Sequence, residues 1–560
     1  MKKQTFLQGA LILVIANALV KVIGAGFKIP LTYTLEADGM GIYSTAYEIY
    51  KWLFVVATAG FPIAISKMVS ESVAIKNANE TRRIFRVAMS MLLIIGFIGM
   101  CVLLVWAKPF ANAFGNARAY WAVMALAPSL FFVSIMCAFR GYFQGQQDMV
   151  PTATSEVIEA LGKLVLGFGL VILLMPYGIP VAAAGAVLGV SIGTAFGAIV
   201  LFIIYKNRKR NGVFKFNEFM ENQKPARSYA VISKQLFSIA IPITIGASVF
   251  SLTSLIDGLM VMRQLKTIPG VVETMSSTLY GYFSGYVVTL FGFPPTVIVA
   301  LSISAVPALA TALILKKYNT VQKTVDATMR IASLIAFPAA VGLSVLSGPI
   351  LQLVFHIDRV KQPSNKNYET VRQLEQVLHL DIIHTVSWLM HIMGIAVIFV
   401  SLVLVTNAIL QSAGKSIIPV INMGIGGVLK VIINFFLVGT PAINIIGAPI
   451  GTNVCYFVIL VLNLFAIRKH VKVKLRIWQT FWRPSLAAIV MGITLYISYY
   501  SLVFPVTHNN NISTIIAIGV GATVYFIMML MIGGIKREDV LMFPKGDIME
   551  KYLDKLHLLR

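Results

Sequence analysis

About fourteen apolar runs, each long enough to matter and separated by short polar connectors, leave this chain few ways to fold. Roughly 20 apolar residues let an α-helix cross the hydrocarbon core of a bilayer. Inside that core only helices and closed barrels satisfy their own backbone groups. The runs fall near 6–30, 40–64, 84–107, 118–140, 152–175, 181–205, 234–262, 280–313, 328–350, 385–411, 417–437, 443–467, 481–503 and 512–532. The eighth is interrupted by Pro294, Pro295 and Pro307. The expected fold class is an all-α polytopic membrane protein with about 14 transmembrane helices.

Charge is scarce and placed to match. Charged residues make up 12% of the 560, against about 25% in soluble domains. The net charge of +24 would suit nucleic acid if it lined one face. Instead the cations sit in alternate connectors: Lys67, Lys76, Arg82 and Arg83, then Lys206 to Arg210, then Lys316, Lys317 and Lys323, then Arg468 to Arg476. The connectors at 176–180, 438–442 and 504–511 carry no Lys or Arg. This alternation excludes nucleic acid as a partner, makes the bilayer the partner, and predicts both termini in the cytoplasm. Lys2 and Lys3 ahead of an apolar run imitate a signal peptide, but the run passes Val20 without a small-x-small cleavage site. A retained first helix in a bacterial cell membrane is expected. Cys101, Cys137 and Cys455 lie in or at the end of apolar runs and read as small hydrophobes.

The chain also repeats itself. Arg140 to Lys163 (RGYFQGQQDMVPTATSEVIEALGK) is echoed by Asn407 to Lys430 (NAILQSAGKSIIPVINMGIGGVLK). Each has a Gln (Gln144, Gln411), a Gly-containing polar turn, a Pro just inside the next run (Pro151, Pro419) and a Lys deep within it (Lys163, Lys430). Gly178 to Gly189 parallels Asn444 to Gly451. Six runs per half give both halves one orientation, a parallel repeat of two six-helix lobes. The expected domains are a lobe at 1–205, a basic linker at 206–233, a second lobe at 234–467, and two extra helices with a tail at 468–560. Gly185, Gly189, Gly193 and Gly197 recur every fourth residue, which reads as a close helix-packing stripe.

Enzyme motifs are lacking. Gly414 to Ser416 (GKS) resembles the end of a phosphate loop, but Ile409 stands where its first Gly is needed. The seven His residues have no metal-binding spacing. A transporter without a cofactor or metal is expected, with the coupling ion or potential left open. Charges inside spans cost about 2.5–3.5 kcal/mol each at the bilayer centre and so mark cavities or pairs. Asn17, Lys21, Gly24 and Lys28 form one stripe of the first helix, and Glu48 and Lys51 lie one turn apart in the second. Glu156, Glu159 and Lys163 share a face of the fifth, with Glu156 close enough to the inner surface to be solvated. Lys430 is mid-span, and Asp257 and Arg263 end the seventh helix as candidates for coupling. The substrate-binding candidates are Lys21, Lys28, Glu48, Lys51, Glu159, Lys163 and Lys430. Each Lys reads either as a point charge for a pyrophosphate or other anionic head group or as the partner of Glu48 or Glu159.

Three segments carry a family resemblance: EADGMGIYSTAYEIY (Glu36 to Tyr50), ATAGFPIAISKMVSE (Ala57 to Glu71) and FRGYFQGQQDMVPTATSEVIE (Phe139 to Glu159). Together they resemble the oligosaccharide-flippase branch of the MOP exporter superfamily, with its stage V sporulation protein B-like and MurJ-type lipid II flippase groups. The resemblance implies a fourteen-helix, two-lobed exporter with a V-shaped central cavity. It would carry undecaprenyl-pyrophosphate-linked sugars between leaflets by alternating access, alongside cell-wall synthesis enzymes. It also implies cavity cations on the first, second and eighth helices. Lys21 and Lys51 match the first two, whereas the eighth has no Arg or Lys between Leu279 and Leu315. That departure leaves lipid-linked glycans other than lipid II open. The alternative is a MATE-like multidrug or cation antiporter, which would favour acids in its cavity.

Overall fold

The computed structural model describes residues 6–75, 77–210, 227–362, 365, 367–471, 473–474 and 476–534. Residues 211–226 of the expected linker and the tail beyond 534 lie outside the described residues. The described residues contain helices and turns but no strand. They divide into two compact units, one of Met1–Lys266 with Val272–Gly281, the other of Thr267–Val271 with Tyr282–Arg560.

The first unit opens with α1 (Phe6–Thr58), 53 residues long. Straight, it would run about 80 Å at 1.5 Å per residue, far more than a bilayer of about 30 Å requires. It is not straight. Glu36 leaves the helical region (φ 54°, ψ −167°), a conformation that favours glycine. Beyond it the chain doubles back, so the Phe27 and Tyr43 ring centroids lie 6.3 Å apart. On one straight helix, 16 residues would separate them by about 24 Å. α1 is therefore a hairpin of two spans.

Twelve described helical stretches are long and apolar enough to cross a membrane, and a pair bent by 42° at Gly292 makes a thirteenth. The first of the twelve, Ile15–Ala74, contains the reversal at Glu36. Counting it as two gives fourteen, the number expected from the apolar runs. The chain is a multi-pass membrane protein.

After α1 the first unit continues with α2 (Phe61–Ala74), α3 (Ala78–Val105), α4 (Ala107–Ala113), α5 (Tyr120–Gly145), α6 (Val150–Gly162), α7 (Phe168–Leu174), α8 (Ile179–Arg210), α9 (Tyr229–Leu265) and α10 (Glu273–Gly281). The glycine stripe of α8 sets how closely these helices approach. A Cβ on Gly193 would lie 2.6 Å from the Glu159 carbonyl oxygen, and one on Gly197 would lie 2.7 Å from the Met136 Cε. One on Gly189 would run into the Gly167 backbone. Hydrogen at these positions lets α8 lie directly on α6, α7 and α5. The second arm of α1 crosses α10 in the same way, with Gly41 on the Ser277 carbonyl and Gly281 on the Ala37 carbonyl.

The second unit holds α11 (Val288–Phe291), α12 (Phe293–Ile314), α13 (Tyr318–Val345), α14 (Ser347–Phe355), α15 (Tyr368–Leu378), α16 (Ile382–Ser412), α17 (Ile417–Val438), α18 (Gly447–His470), α19 (Ile477–Tyr496), α20 (Phe504–Thr507) and α21 (Asn510–Met531). A buried chain of amides joins three of them: Asn422 donates to Asn463 at 2.8 Å, which donates to Asn407 at 2.7 Å and Thr406 at 3.0 Å. α19 and α21 bury Leu495 and Ala517 against Leu346. The connector before α16 contains α15, which buries Val371, Leu374 and Leu378.

The internal echo is structural. In the first unit Asp148 N–H donates to the Phe143 carbonyl and Gln147 N–H to the Gln144 carbonyl, at 3.0 and 2.9 Å. In the second, Lys415 donates to Leu410 and Gly414 to Gln411, both at 3.0 Å. Both are the Schellman ending of a helix, which needs one left-handed residue. Gln147 (φ 60°) and Gly414 (φ 70°) supply it.

Candidate functional site

Within the first unit, the second arm of α1 and α6 each present a stripe to a cavity of about 270 Å³. From α1 come Tyr47, Tyr50, Lys51 and Phe54, and from α6 and the turn after it come Glu156, Glu159, Ala160 and Lys163. Both sets follow i, i+3, i+4, i+7 spacing, so each is a single helical face. Val20, Gly24 and Phe27 on the first arm of α1, with Val190 on α8, complete the lining.

Lys163 starts a π-helical turn, Lys163–Gly167, between α6 and α7. Such turns often mark functional positions in long helices. Its Nζ lies 5.0 Å from the Phe27 ring centroid and 4.9 Å from that of Tyr47. Each such contact is worth about 0.5–2 kcal/mol. Two of them offset much of the roughly 2.5–3.5 kcal/mol that a Lys costs in mid-membrane. The rings extend as a ladder, with Tyr43 stacked on Tyr47 at 5.6 Å, Tyr47 beside Tyr50 at 6.0 Å, and Tyr50 beside Phe54 at 5.9 Å.

The other charges are arranged in pairs. Lys51 Nζ lies 2.6 Å from Glu48 Oε2, and Arg140 of α5 donates to Glu159 and to the Ser155 hydroxyl, each at 3.0 Å. Glu156 sits in the lining with its Oε2 buried and accepting no hydrogen bond from the protein. The residue as a whole is partly exposed.

The structure thus brings Glu48, Lys51, Glu159 and Lys163 together. Lys28 is half-buried and lies within electrostatic reach of Lys163, Glu48 and Lys51, whereas Lys21 is exposed; like Glu48, neither is among the lining residues. The face that the first arm turns to the cavity is Val20, Gly24 and Phe27, which shares only Gly24 with the expected stripe. Lys430 lies in the second unit, 2% exposed, on the buried face of α17 with Asn422 and Asn434. Asp257 is buried and Arg263 exposed near the end of α9, where Arg263 packs by Gly115. Sequence reasoning missed Tyr47, Tyr50, Phe54 and the partner role of Arg140. The spacing of Tyr43, Tyr47, Tyr50 and Phe54 was the available signal for the aromatic face.

A second polar cluster closes the Glu36 reversal. Arg118 holds both Asp38 oxygens, at 2.8 and 2.7 Å, and its N–H donates to Glu273 at 3.3 Å. Lys266 binds the other Glu273 oxygen at 2.8 Å.

Comparison with known proteins agrees with this architecture. The polysaccharide biosynthesis protein family matches residues 6–312. Stage V sporulation protein B of Bacillus subtilis is 24% identical over 97% of this chain and 98% of its own. Lipid II flippase MurJ of the same organism is 26% identical over 93% and 94%. A solved structure of lipid II flippase MurJ in an inward closed conformation superposes with a TM-score of 0.66, at 15% identity, covering 94% of this chain and 98% of that one. With its helical membrane fold and a match spanning more than half its length, this chain belongs to the polysaccharide biosynthesis protein family.

Proposed function

We propose that this chain is a flippase for undecaprenyl-pyrophosphate-linked sugar precursors, peptidoglycan lipid II or another polysaccharide unit. It would move them from the inner to the outer leaflet of a bacterial plasma membrane by alternating access, with both termini in the cytoplasm. The observation that carries this reading is the cavity, in which Lys51 and Lys163 lie among membrane-spanning helices. The similarity to a lipid II flippase and to the polysaccharide biosynthesis protein family supports the substrate class.

The chemistry follows from how each lysine is held. A Lys ammonium has three N–H donors; with one on the Tyr43 side chain, Lys163 can offer the others to a phosphate oxygen without leaving Phe27 and Tyr47. Lys51 exchanges Glu48 for the substrate, which makes its contact reversible. Lys21 and Lys28 extend the cationic character along the first arm of α1. A MATE-like cation antiporter would rely on Glu156 and Glu159, but Arg140 neutralises the second of these.

The test is flipping in proteoliposomes carrying a lipid-linked sugar, read by a membrane-impermeant reagent on the exposed sugar. Lys51→Ala with Lys163→Ala is expected to slow translocation at least about tenfold at equal incorporation, the loss of roughly one charged hydrogen bond. Wild-type rates in that double variant, or no translocation by the wild type, would overturn the proposal.

A further inference from the structure

The cavity is chemically polarised along its length. Lys163 lies against Tyr47. Seven residues back along α6 is Glu156, and seven residues on along α1 is Phe54, both in the lining. Seven helical residues span about 10 Å. The two stripes therefore run antiparallel and place Glu156 toward the Phe54 end, about 10 Å from the Lys163 end. One end offers a cation caged by rings, while the other offers a carboxylate and the ring of Phe54.

These ends suit different parts of one ligand. A diphosphate needs N–H donors and positive charge, which the Lys163 end supplies with Lys51 partway along. A carboxylate repels phosphate, so the Glu156 end must take something else. Glu156 Oε2 is buried with no protein donor, and a buried acceptor left unmatched costs about 1–3 kcal/mol, or more when charged. An occupant with a hydroxyl or amide N–H would relieve that cost. An occupant with a face of C–H groups, slightly positive, would also stack on the negative ring face of Phe54. A sugar ring bearing hydroxyl or acetamido groups has both features.

We infer that Glu156 and Phe54 form a sugar subsite, holding the first sugar of the lipid-linked precursor while Lys163 and Lys51 hold its diphosphate. This rests on the flippase reading and adds to it a division of the cavity. Glu159, tied to Arg140, positions the stripe and contacts no sugar.

The test is binding by the purified full-length protein in nanodiscs, using undecaprenyl pyrophosphate and the same lipid carrying one N-acetylhexosamine. The wild type is expected to prefer the sugar-bearing lipid. Glu156→Ala should bring that preference about tenfold closer to one, the scale of one charged hydrogen bond, and Phe54→Leu severalfold closer, the scale of one ring contact. Lys163→Ala should weaken both lipids and keep their ratio. Phe54→Leu nearly preserves volume, so its folding guards against a merely collapsed Glu156→Ala. A wild type that binds both lipids equally, or variants that keep the wild-type ratio, would overturn the subsite alone. A wild type that binds neither above a control phospholipid would overturn the flippase reading with it.

Discussion

Arg140 reaches from α5 to Glu159 on α6 at 3.0 Å, and it fastens the helix that carries the cavity's charged stripe. The side chains are only 16% and 29% exposed, so removing one partner strands the other charge. Arg140→Leu is expected to destabilise the protein by about 3–5 kcal/mol, as for a broken buried pair. Arg140→Leu with Glu159→Leu should recover most of that loss. Thermal unfolding midpoints in detergent would show it. A double variant no better than the single one would mean that Arg140 acts through Ser155 or packing instead.

How much of this could be read from the sequence depends on contrast. Lys163 stood out because a charge inside an apolar run has an energetic reason to be there. Fourteen spans were legible for the same reason. Phe54 and Tyr50 gave no such contrast, since an aromatic residue in a membrane helix is equally at home facing lipid or a cavity. The grouping of α9 and α10 with the first unit rests on contacts such as Gly281 on Ala37. These join residues more than two hundred positions apart, and no local pattern encodes them. The Schellman turns were half visible. Gly414 announces a left-handed residue, and Gln147 adopts the same conformation without announcing it.

The glycine stripe of α8 makes a contrast between two sites. Gly189→Ala forces a methyl into the Gly167 backbone, which has no flexible end to yield. A loss of about 1–3 kcal/mol is expected, as for overpacking. Gly169 has nothing within 4 Å of an added Cβ, so Gly169→Ala should be neutral or stabilise by up to about 1 kcal/mol through helix propensity. Unfolding midpoints of the two variants would separate close packing from a general aversion to alanine.

Outside the spans, Lys361 binds Glu375 at 2.9 Å and Asp381 at 2.6 Å. Asp381 also caps α16, accepting from the His384 amide at 2.9 Å. Burial pushes the Asp381 carboxyl up, but the Lys361 hydrogen bond and the His384 amide outweigh it and hold it below its usual value. Burial pulls Lys361 down, and its two carboxylate partners more than reverse that. A depressed carboxylate stabilises above its unfolded pKa of about 3.9. That contribution is lost as pH falls through the lower folded value. A raised lysine stabilises below its unfolded value of about 10.4 and loses its contribution as pH climbs through the folded one. The clamp is therefore expected to hold from about pH 5 to pH 10. Lys361 is over a third exposed, and solvent screening keeps the effect small. Hydrogen exchange across 368–378, corrected for intrinsic rates, should rise severalfold at pH 3 in the wild type. Lys361→Met should show that rise already at pH 7. Flat protection in both cases would show that the apolar face of α15 alone holds it.

At the Glu36 reversal, Asp38 is 5% exposed and takes two parallel hydrogen bonds from Arg118. Its own carbonyl accepts from the Ser277 hydroxyl at 3.2 Å. A guanidinium can hold both carboxylate oxygens in one plane, and an ammonium cannot. Arg118→Lys is therefore expected to lose nearly as much stability as Arg118→Ala. Asp38→Asn should lose less, because it keeps one acceptor oxygen. A double-mutant cycle between the two positions should give a coupling of about 1–3 kcal/mol, the range for contacting charged partners. The same variants measured for flipping separate two roles for the pair. If it only closes the turn, transport per folded molecule should be unchanged in Arg118→Lys. If it also holds α10 during the transport cycle, through Glu273 and Ser277, transport should fall more than the folded fraction does. An Arg118→Lys protein matching the wild type in both measurements would show that the planar fork contributes nothing there.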